Sequence, residues 1–309
     1  MSDIIDVIKV NRPFISQSSL KTYQSAIRSL PLDKDFSPEN VVKNADKIID
    51  FLKQKKLNVR KTKLSALIVY LDSDKKSDET KKVIEAFRTV VAKDKVDNDH
   101  RELNQTLTER QQKNFITWDE VLKFYHDLKI EAEPLFKLSV LNIQQFRKLM
   151  AYVLLSCYVL IPPRRSLDWS EFKIRDISED EDNYMKVGKK GNFFVFNQYK
   201  NVGRMGSQEI PIPTSLKTII TKWIAKNPYD YLICNSKGGK INQSKINHIL
   251  NDIFQKNIGS TMLRHIYASH KYGNVNLAAI TKDAEMMGQS NADRLLRYVN
   301  KDAPKLNWS

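Results

Sequence analysis

"NIQQFRKLMAYVLLSCYVLIPPRRSLDW", from Asn142 to Trp169, decides the fold of the second half of this chain. Its middle is apolar on nearly every side, which predicts a helix buried at the centre of a domain. The helix must stop at Pro162 and Pro163, because two consecutive prolines cannot continue it. Arg164 and Arg165 follow directly, so we expect their guanidinium groups to emerge at the edge of the buried centre.

Alternating sequence follows this helix and indicates a small sheet. The runs "NYMKV", "NFFVFN" and "QEIPIP" alternate apolar and polar residues, and glycine-containing stretches separate them. This pattern predicts antiparallel hairpins. Helices are predicted on both sides: one opens with Thr117 and Glu120 as a capping box, and two later ones cover "SLKTIITKWIAK" and "SKINHILNDIF".

The first part of the chain carries apolar side chains at helical spacing, as in "SQSSLKTYQSAIRSL", and indicates an all-α unit. Ser37 and Pro38 suit the N-cap and first position of one of its helices. A group of cations, called the basic cluster below, consists of Lys53, Lys55, Lys56, Arg60, Lys61 and Lys63. Such cations suit either a solvated helix face or a surface that contacts phosphates.

Length and pattern together predict two domains. The chain has 309 residues, more than the roughly 100 to 200 of a usual single domain. The polar stretch from Lys93 to Phe115 contains the boundary and allows a helical stem. We expect a helical domain over 1–100, a linker over 101–114 and a second domain over 115–309. The predicted fold class is mainly α with a small antiparallel β-sheet, that is, α+β.

Composition narrows the partners and the compartment. Lys and Arg number 51 against 36 Asp and Glu, and the net charge of +15 suits nucleic acid or an acidic membrane surface. A merely soluble basic protein would share this balance. Cys157 and Cys234 lie among apolar neighbours without metal-ligand spacing, as expected of core thiols in a reducing compartment. The apolar run Leu149–Ile161 is shorter than the about 20 residues that cross a bilayer, so we expect a soluble intracellular protein.

Two further stretches carry candidate chemistry: "GSTMLRHIYASH" from Gly259 to His270, and "MMGQSNADRLLRY" from Met286 to Tyr298. Each has a plain structural explanation. Arg264 and His265 could pair within the fold, and Tyr298 beside two leucines suits a core position. Lys200, in "NQYKNVGRMGSQ", could be an ordinary loop lysine of a basic protein.

Arg165, Lys200, Arg264 and Tyr298, taken as a set in this order, resemble the catalytic residues of the tyrosine recombinase (phage-integrase-type) family. The resemblance covers most of the chain. In that family an arginine is followed three residues later by an acid and then by an apolar residue, and Arg165 with Asp168 is similar to that box. Arg164 gives an alternative register by one residue, and both stay open.

The remaining boxes match with two substitutions. The family pattern His-x-Leu-Arg-His is similar to "TMLRH", where Thr261 stands in the first position. The family pattern Leu-Gly-His, with its tyrosine nine residues later, is similar to "MGQ" followed by Tyr298, where Gln289 replaces the histidine. A Gln amide still donates a hydrogen bond, whereas Thr261 cannot titrate near neutral pH.

The resemblance implies a helical core-binding domain followed by a catalytic domain that transfers DNA strands without a metal or cofactor. It implies Tyr298 as the nucleophile, Arg165 and Arg264 as stabilisers of the phosphate charge, and Lys200 as the acid for the departing 5′ oxygen. Gln289 and Thr261 would complete the catalytic set.

The resemblance also implies partners. Double-stranded DNA would contact Arg164, His265 and the basic cluster, and a homo-multimer, a tetramer on paired sites, would assemble on it. The final stretch "VNKDAPKLNWS" would dock on a neighbouring copy. We expect the integrase of a virus or mobile element, acting in a nucleus, a nucleoid or a viral replication site.

Three alternatives stay open at this point. A type IB topoisomerase uses related chemistry but acts without a partner copy or a particular site. A catalytically silent protein would bind DNA only. A basic RNA-binding module would hold single strands through exposed aromatic side chains.

Overall fold

The structure, a computed structural model, describes residues 3–103, 107–188, 191–272 and 277–288, with backbone alone in 95–103 and 277–281. Its contacts divide the chain into two units, Met1–Leu103 and Asn104–Ser309. Among the described residues no helix combines the length and the apolar character that a membrane span requires.

The first unit is helical. Its helices are α1 (Ile4–Asn11), α2 (Gln17–Arg28), α3 (Pro38–Lys43), α4 (Ala45–Lys53), α5 (Leu57–Leu71) and α6 (Asp78–Leu103). Side-chain caps fix several starts: Ser16 accepts from the N–H of Ser19, and Ser37 accepts from Asn40 with Pro38 at the first helical position. Leu64, Leu67 and Phe87 are among the fully buried residues of its core.

The second unit is mostly helical as well. Its helices are α7 (Glu109–Asn114), α8 (Trp118–Ala132), α9 (Ile143–Val159), α10 (Ser166–Ser170), α11 (Val202–Met205), α12 (Thr214–Lys226), α13 (Gln243–Phe254), α14 (Ser260–Tyr272) and α15 (Leu277–Met286). A 3₁₀ helix covers Glu133–Lys137. The short α7 lies within the stretch predicted as a linker, and α6 occupies its beginning.

Helix α9 is the buried centre of this unit, as its apolar sequence predicts. It begins with a capping box between Asn142 and Gln145, and the run from Tyr152 to Tyr158 is buried throughout. Cys157 on this helix and Cys234 are both buried thiols, and burial raises the pKa of Cys234 to about 11.

The sheet has four described strands in the order β1 (Phe172–Lys173), β2 (Asn183–Gly188), β3 (Gly191–Phe196) and β4 (Gln208–Pro211). Two pairings, β2 with β3 and β3 with β4, are antiparallel as predicted. The strand β1 pairs with β2 in parallel, so this additional strand makes the sheet mixed. Phe172 is fully buried with its ring 5.4 Å from that of Phe194, and this packing holds β1 beside β2.

Candidate active site

The paired arginines after α9 occupy different environments. Arg164 is 0% exposed, and its Nε donates to Oδ2 of Asp168 at 2.7 Å. Its guanidinium lies over the ring of Phe196, with Cζ 3.9 Å from the ring centroid. A buried guanidinium is costly without a counter-charge, and Asp168 supplies one. These contacts hold Arg164 inside the protein. The sequence, in contrast, predicts that Arg164 contacts DNA.

Arg165 takes the N-cap position of α10 and stays partly exposed. Its Nη1 donates to the carbonyl oxygen of Gly288 at 3.4 Å. Because α10 begins directly after Arg165, the backbone of Arg165 is fixed, while its side chain reaches the surface. Of the two arginines that the sequence offers for the first box, Arg165 is the partly accessible one.

Arg264 lies on α14, and a contact from α13 fixes the start of this helix. The backbone N–H of Ser260 donates to Oδ1 of Asn247 at 3.0 Å. Gly259 leaves room for this contact, since a Cβ there would lie 2.7 Å from the same oxygen. Arg264 is 1% exposed one helical turn later.

Thr261 and His265, which belong to the same family pattern as Arg264, differ in exposure. Thr261 is exposed in the first turn of α14, and His265 is half-buried. Thr261 is thus exposed at the position where the family pattern has a histidine.

The segments that carry Arg165 and Arg264 meet at Ser166 and Asp168. The N–H of Ser166 donates to Oγ of Ser260 at 3.2 Å, which joins the start of α10 to the start of α14. Asp168 is 1% exposed, and burial raises its pKa while the charges of all three arginines lower it. The carboxylate therefore lies among three guanidinium groups and balances part of their charge.

Lys200 follows β3 and is exposed in the turn that leads to α11, between two anchored neighbours. The ring of Tyr199 is 4% exposed and its centroid lies 5.4 Å from Cζ of Arg164. Asn201 donates from Nδ2 to the carbonyl oxygen of Gly288 at 2.5 Å. The backbone around Lys200 is thereby tied to the same region that Arg165 contacts.

The last turn of α15 accepts hydrogen bonds from this side of the unit. Gln208 donates from Nε2 to the carbonyl of Glu285 at 3.1 Å, and Arg164 donates from Nη1 to the carbonyl of Met286 at 2.7 Å. Gly288 follows at a φ of +66°, a conformation that favours glycine. The end of α15 is therefore hydrogen-bonded to Arg164, in the segment that follows α9, and to Gln208 on the strand β4.

Two of the predicted catalytic residues, Gln289 and Tyr298, lie outside the described residues. Gln289 directly follows Gly288 in the sequence, and Tyr298 lies nine residues after Gln289.

The basic cluster of the first unit divides into exposed and engaged cations. Arg60 donates from Nε and Nη2 to the two carboxylate oxygens of Asp94, at 2.6 and 2.5 Å, and Asp94 is 4% exposed. Lys63 is half-buried, and burial together with the charge of Lys55 lowers its pKa. The exposed members are Lys53, Lys55, Lys56 and Lys61, of which Lys53 also pairs with Asp50 at 2.8 Å.

Sequence reasoning missed a buried acidic centre between α14 and α15. Asp283 is 4% exposed and accepts from the hydroxyls of Tyr267, at 2.9 Å, and Tyr272, while Lys271 Nζ lies 2.5 Å from it. Burial raises the pKa of both tyrosines, and the Asp283 charge adds to this. The signal available in the sequence was the acid Asp283 within the partly apolar stretch "LAAITKDAEMM".

No family model matches the sequence. Tyrosine recombinase XerC of Bacillus subtilis (strain 168) is 28% identical over 122 residues. The match spans 37% of this chain and 38% of that protein, well under half the length of the curated relative.

Two solved structures share the fold. Lambda integrase (75–356), crystallised as a dimer bound to a COC′ core site, has a TM-score of 0.54 at 15% identity and covers 100% of this chain and 98% of that one. A second lambda integrase dimer bound to a COC′ core site has a TM-score of 0.52 at 15% identity, covering 99% and 79%. The chain thus has an α+β architecture similar to that of lambda integrase. Together with the XerC match, this supports a tyrosine recombinase/integrase family and confirms the resemblance drawn from the sequence.

Proposed function

We propose that this chain is a site-specific DNA recombinase or integrase that cleaves and rejoins duplex DNA through a 3′-phosphotyrosine at Tyr298. The bond between Ser166 and Ser260 is the observation that carries the proposal, because it joins the segments of Arg165 and Arg264. Two guanidinium groups held in this way suit the non-bridging oxygens of one phosphodiester.

The proposed reaction exchanges one ester bond for another. The Tyr298 oxygen forms a bond to phosphorus as the bond from phosphorus to the 5′ oxygen breaks, and the Lys200 ammonium gives that oxygen a proton. Arg165 and Arg264 stabilise the negative charge that grows on phosphate. The bond energy stays in the phosphotyrosine, so a free 5′ hydroxyl of another strand can reverse the step.

The proposed site assigns no side chain as the base that removes the proton of Tyr298. A free tyrosine has a pKa near 10, so nearby cations and an acceptor are needed. Thr261 does not titrate in the neutral range, and Gln289 is proposed as a hydrogen-bond donor to phosphate rather than as a base. The scheme uses no metal ion or cofactor.

Duplex DNA is the proposed partner, and the proposed assembly is a tetramer of this chain on paired sites inside a cell or a viral replication site. The net charge of +15 and the four exposed lysines of the basic cluster support a polyanionic partner. The lambda integrase structures with the same fold are dimers bound to a core site.

Covalent capture tests the function. Nicked duplexes built from the DNA that flanks this gene are incubated with the protein, and adducts are sought on denaturing gels. We expect an adduct with the wild type, none with Tyr298→Phe, and an unchanged adduct with Tyr231→Phe as the matched control. An adduct that survives Tyr298→Phe, or none from the wild type, contradicts the proposal. Relaxation of supercoiled DNA without a particular site would instead identify a topoisomerase.

A further inference from the structure

The end of α15 is held by side chains from other elements. The donors are Arg164, Arg165, Asn201 and Gln208, and the acceptors are the carbonyl oxygens of Glu285, Met286 and Gly288. We call this set of hydrogen bonds the carbonyl clasp. Its donors come from the Arg164–Arg165 pair, the turn at Lys200 and β4, which are all far from α15 in the sequence.

Helix chemistry explains why such a clasp stabilises. The last carbonyl groups of a helix have no partner within the helix, and their partial negative charge favours a cation. Arg164 supplies that cation in a buried position, where its hydrogen bond to Met286 is 2.7 Å long. Asp168 holds Nε of the same guanidinium, which aims Nη1 at the carbonyl.

Gly288 and Arg164 fit each other closely. A Cβ on Gly288 would lie 3.1 Å from Nη2 of Arg164 and 3.4 Å from the ring of Tyr199. The backbone at Gly288 also has a φ of +66°, which side chains disfavour. Gly288 therefore lies directly beside the buried guanidinium of Arg164.

We infer that Arg164 is a positioning residue for strand transfer: through the carbonyl clasp it fixes the backbone from which the segment with Gln289 and Tyr298 departs. Arg165, its partly exposed neighbour, makes the longest bond of the clasp and also contacts the phosphate. The chemical consequence rests on the proposed function. Both arginines bond to the end of α15, but the buried Arg164 does so at 2.7 Å, whereas the partly exposed Arg165, at 3.4 Å, is the one that meets the substrate.

A neutral substrate separates these two roles. Suicide duplexes are made with an ordinary phosphate and with a methylphosphonate at the cleaved position, since the neutral linkage removes a charge that a guanidinium would stabilise. We expect Arg165→Ala to regain cleavage on the methylphosphonate. Arg164→Lys and Gln208→Ala should cleave both substrates more slowly than wild type, by up to about 100-fold, with unchanged DNA binding. Recovery of Arg164→Lys on the methylphosphonate, or wild-type rates for both clasp variants, would overturn the inference.

Hydrogen exchange gives a readout that needs no activity. The amides of Met287 and Gly288 bond within the last turn of α15, to Asp283 and Glu285. We expect Gln208→Ala and Asn201→Ala to speed their exchange while α12 keeps its protection. Both donors are partly exposed, so these variants should fold even if Arg164→Lys does not. Unchanged exchange in both variants overturns the clasp, whereas a wild type without any adduct overturns the proposed function alone.

Discussion

The backbone N–H of Ser166 donates to Oγ of Ser260 at 3.2 Å, so the residue after Arg165 is bonded to the first residue of the helix that carries Arg264. Both partners are buried, at 5% and 3% exposure. A hydrogen bond closed to water in this way fixes the spacing of the two segments more firmly than a surface contact would.

Replacing Ser260 by alanine tests this link. Ser260→Ala leaves the buried N–H of Ser166 without its acceptor, and we expect the free energy of unfolding to fall by about 1–3 kcal/mol. Covalent adduct formation should slow as well, because the arginine spacing loosens. Urea unfolding and the nicked-duplex assay measure the two effects. Ser215→Ala, at an exposed position of α12, is the control and should change neither. Wild-type stability in Ser260→Ala would show that the link is not stabilising.

Gly288 and Gly203 offer a matched pair of glycine substitutions. Gly288→Ala forces a side chain onto a φ of +66° and against Arg164, so we expect a loss of about 1–3 kcal/mol and slower cleavage. Gly203 lies in α11 with nothing within 4 Å of its Cβ position, and Gly203→Ala should be neutral or stabilising. Thermal melts of both variants check the contrast. Equal effects at the two positions would contradict the role assigned to Gly288.

Local sequence pattern predicted most helices and strands of the second unit. The features that it did not predict depend on contacts between residues far apart in the sequence. The capping residues Thr117 and Asn142, and the prolines after α9, act on neighbouring backbone, so helix limits can be predicted from them. The parallel pairing of β1 depends on Phe172 packing against aromatic rings more than twenty residues away. No local rule contains that contact.

The candidate site likewise has residues that the sequence predicted and a feature that it could not predict. The resemblance to tyrosine recombinases implied Arg165, Lys200 and Arg264 as site residues, and the structure brings their segments together. The burial of Arg164 could not be predicted, because its partners Gln208 and Met286 come from distant parts of the chain. The catalytic roles of Arg165, Lys200, Arg264 and Tyr298 stay predictions until cleavage is measured.

His270 should make stability depend on pH. Burial lowers its pKa below the ordinary value of 6.5, and the charge of Asp119 opposes this only in part. Since the unfolded chain binds the proton more readily, stability should fall as pH drops through about 6.5 toward the folded pKa. Urea unfolding between about pH 5.5 and pH 7.5 measures the slope. His270→Gln should flatten it. A slope that survives in His270→Gln would assign the dependence to other groups.

The basic cluster should separate into a stabilising cation and DNA-contacting cations. Arg60 is held by Asp94 through two hydrogen bonds between α5 and α6, so Arg60→Ala should mainly lower the stability of the first unit, leaving a buried carboxylate unpaired. Lys61 is exposed on the same helix, and if it contacts a phosphate, Lys61→Ala should reduce the salt dependence of duplex binding by about one counterion. Binding titrations over a series of salt concentrations, with urea unfolding of each variant, distinguish the two. An unchanged salt slope in Lys61→Ala, with normal folding, would mean that Lys61 belongs to a solvated helix face.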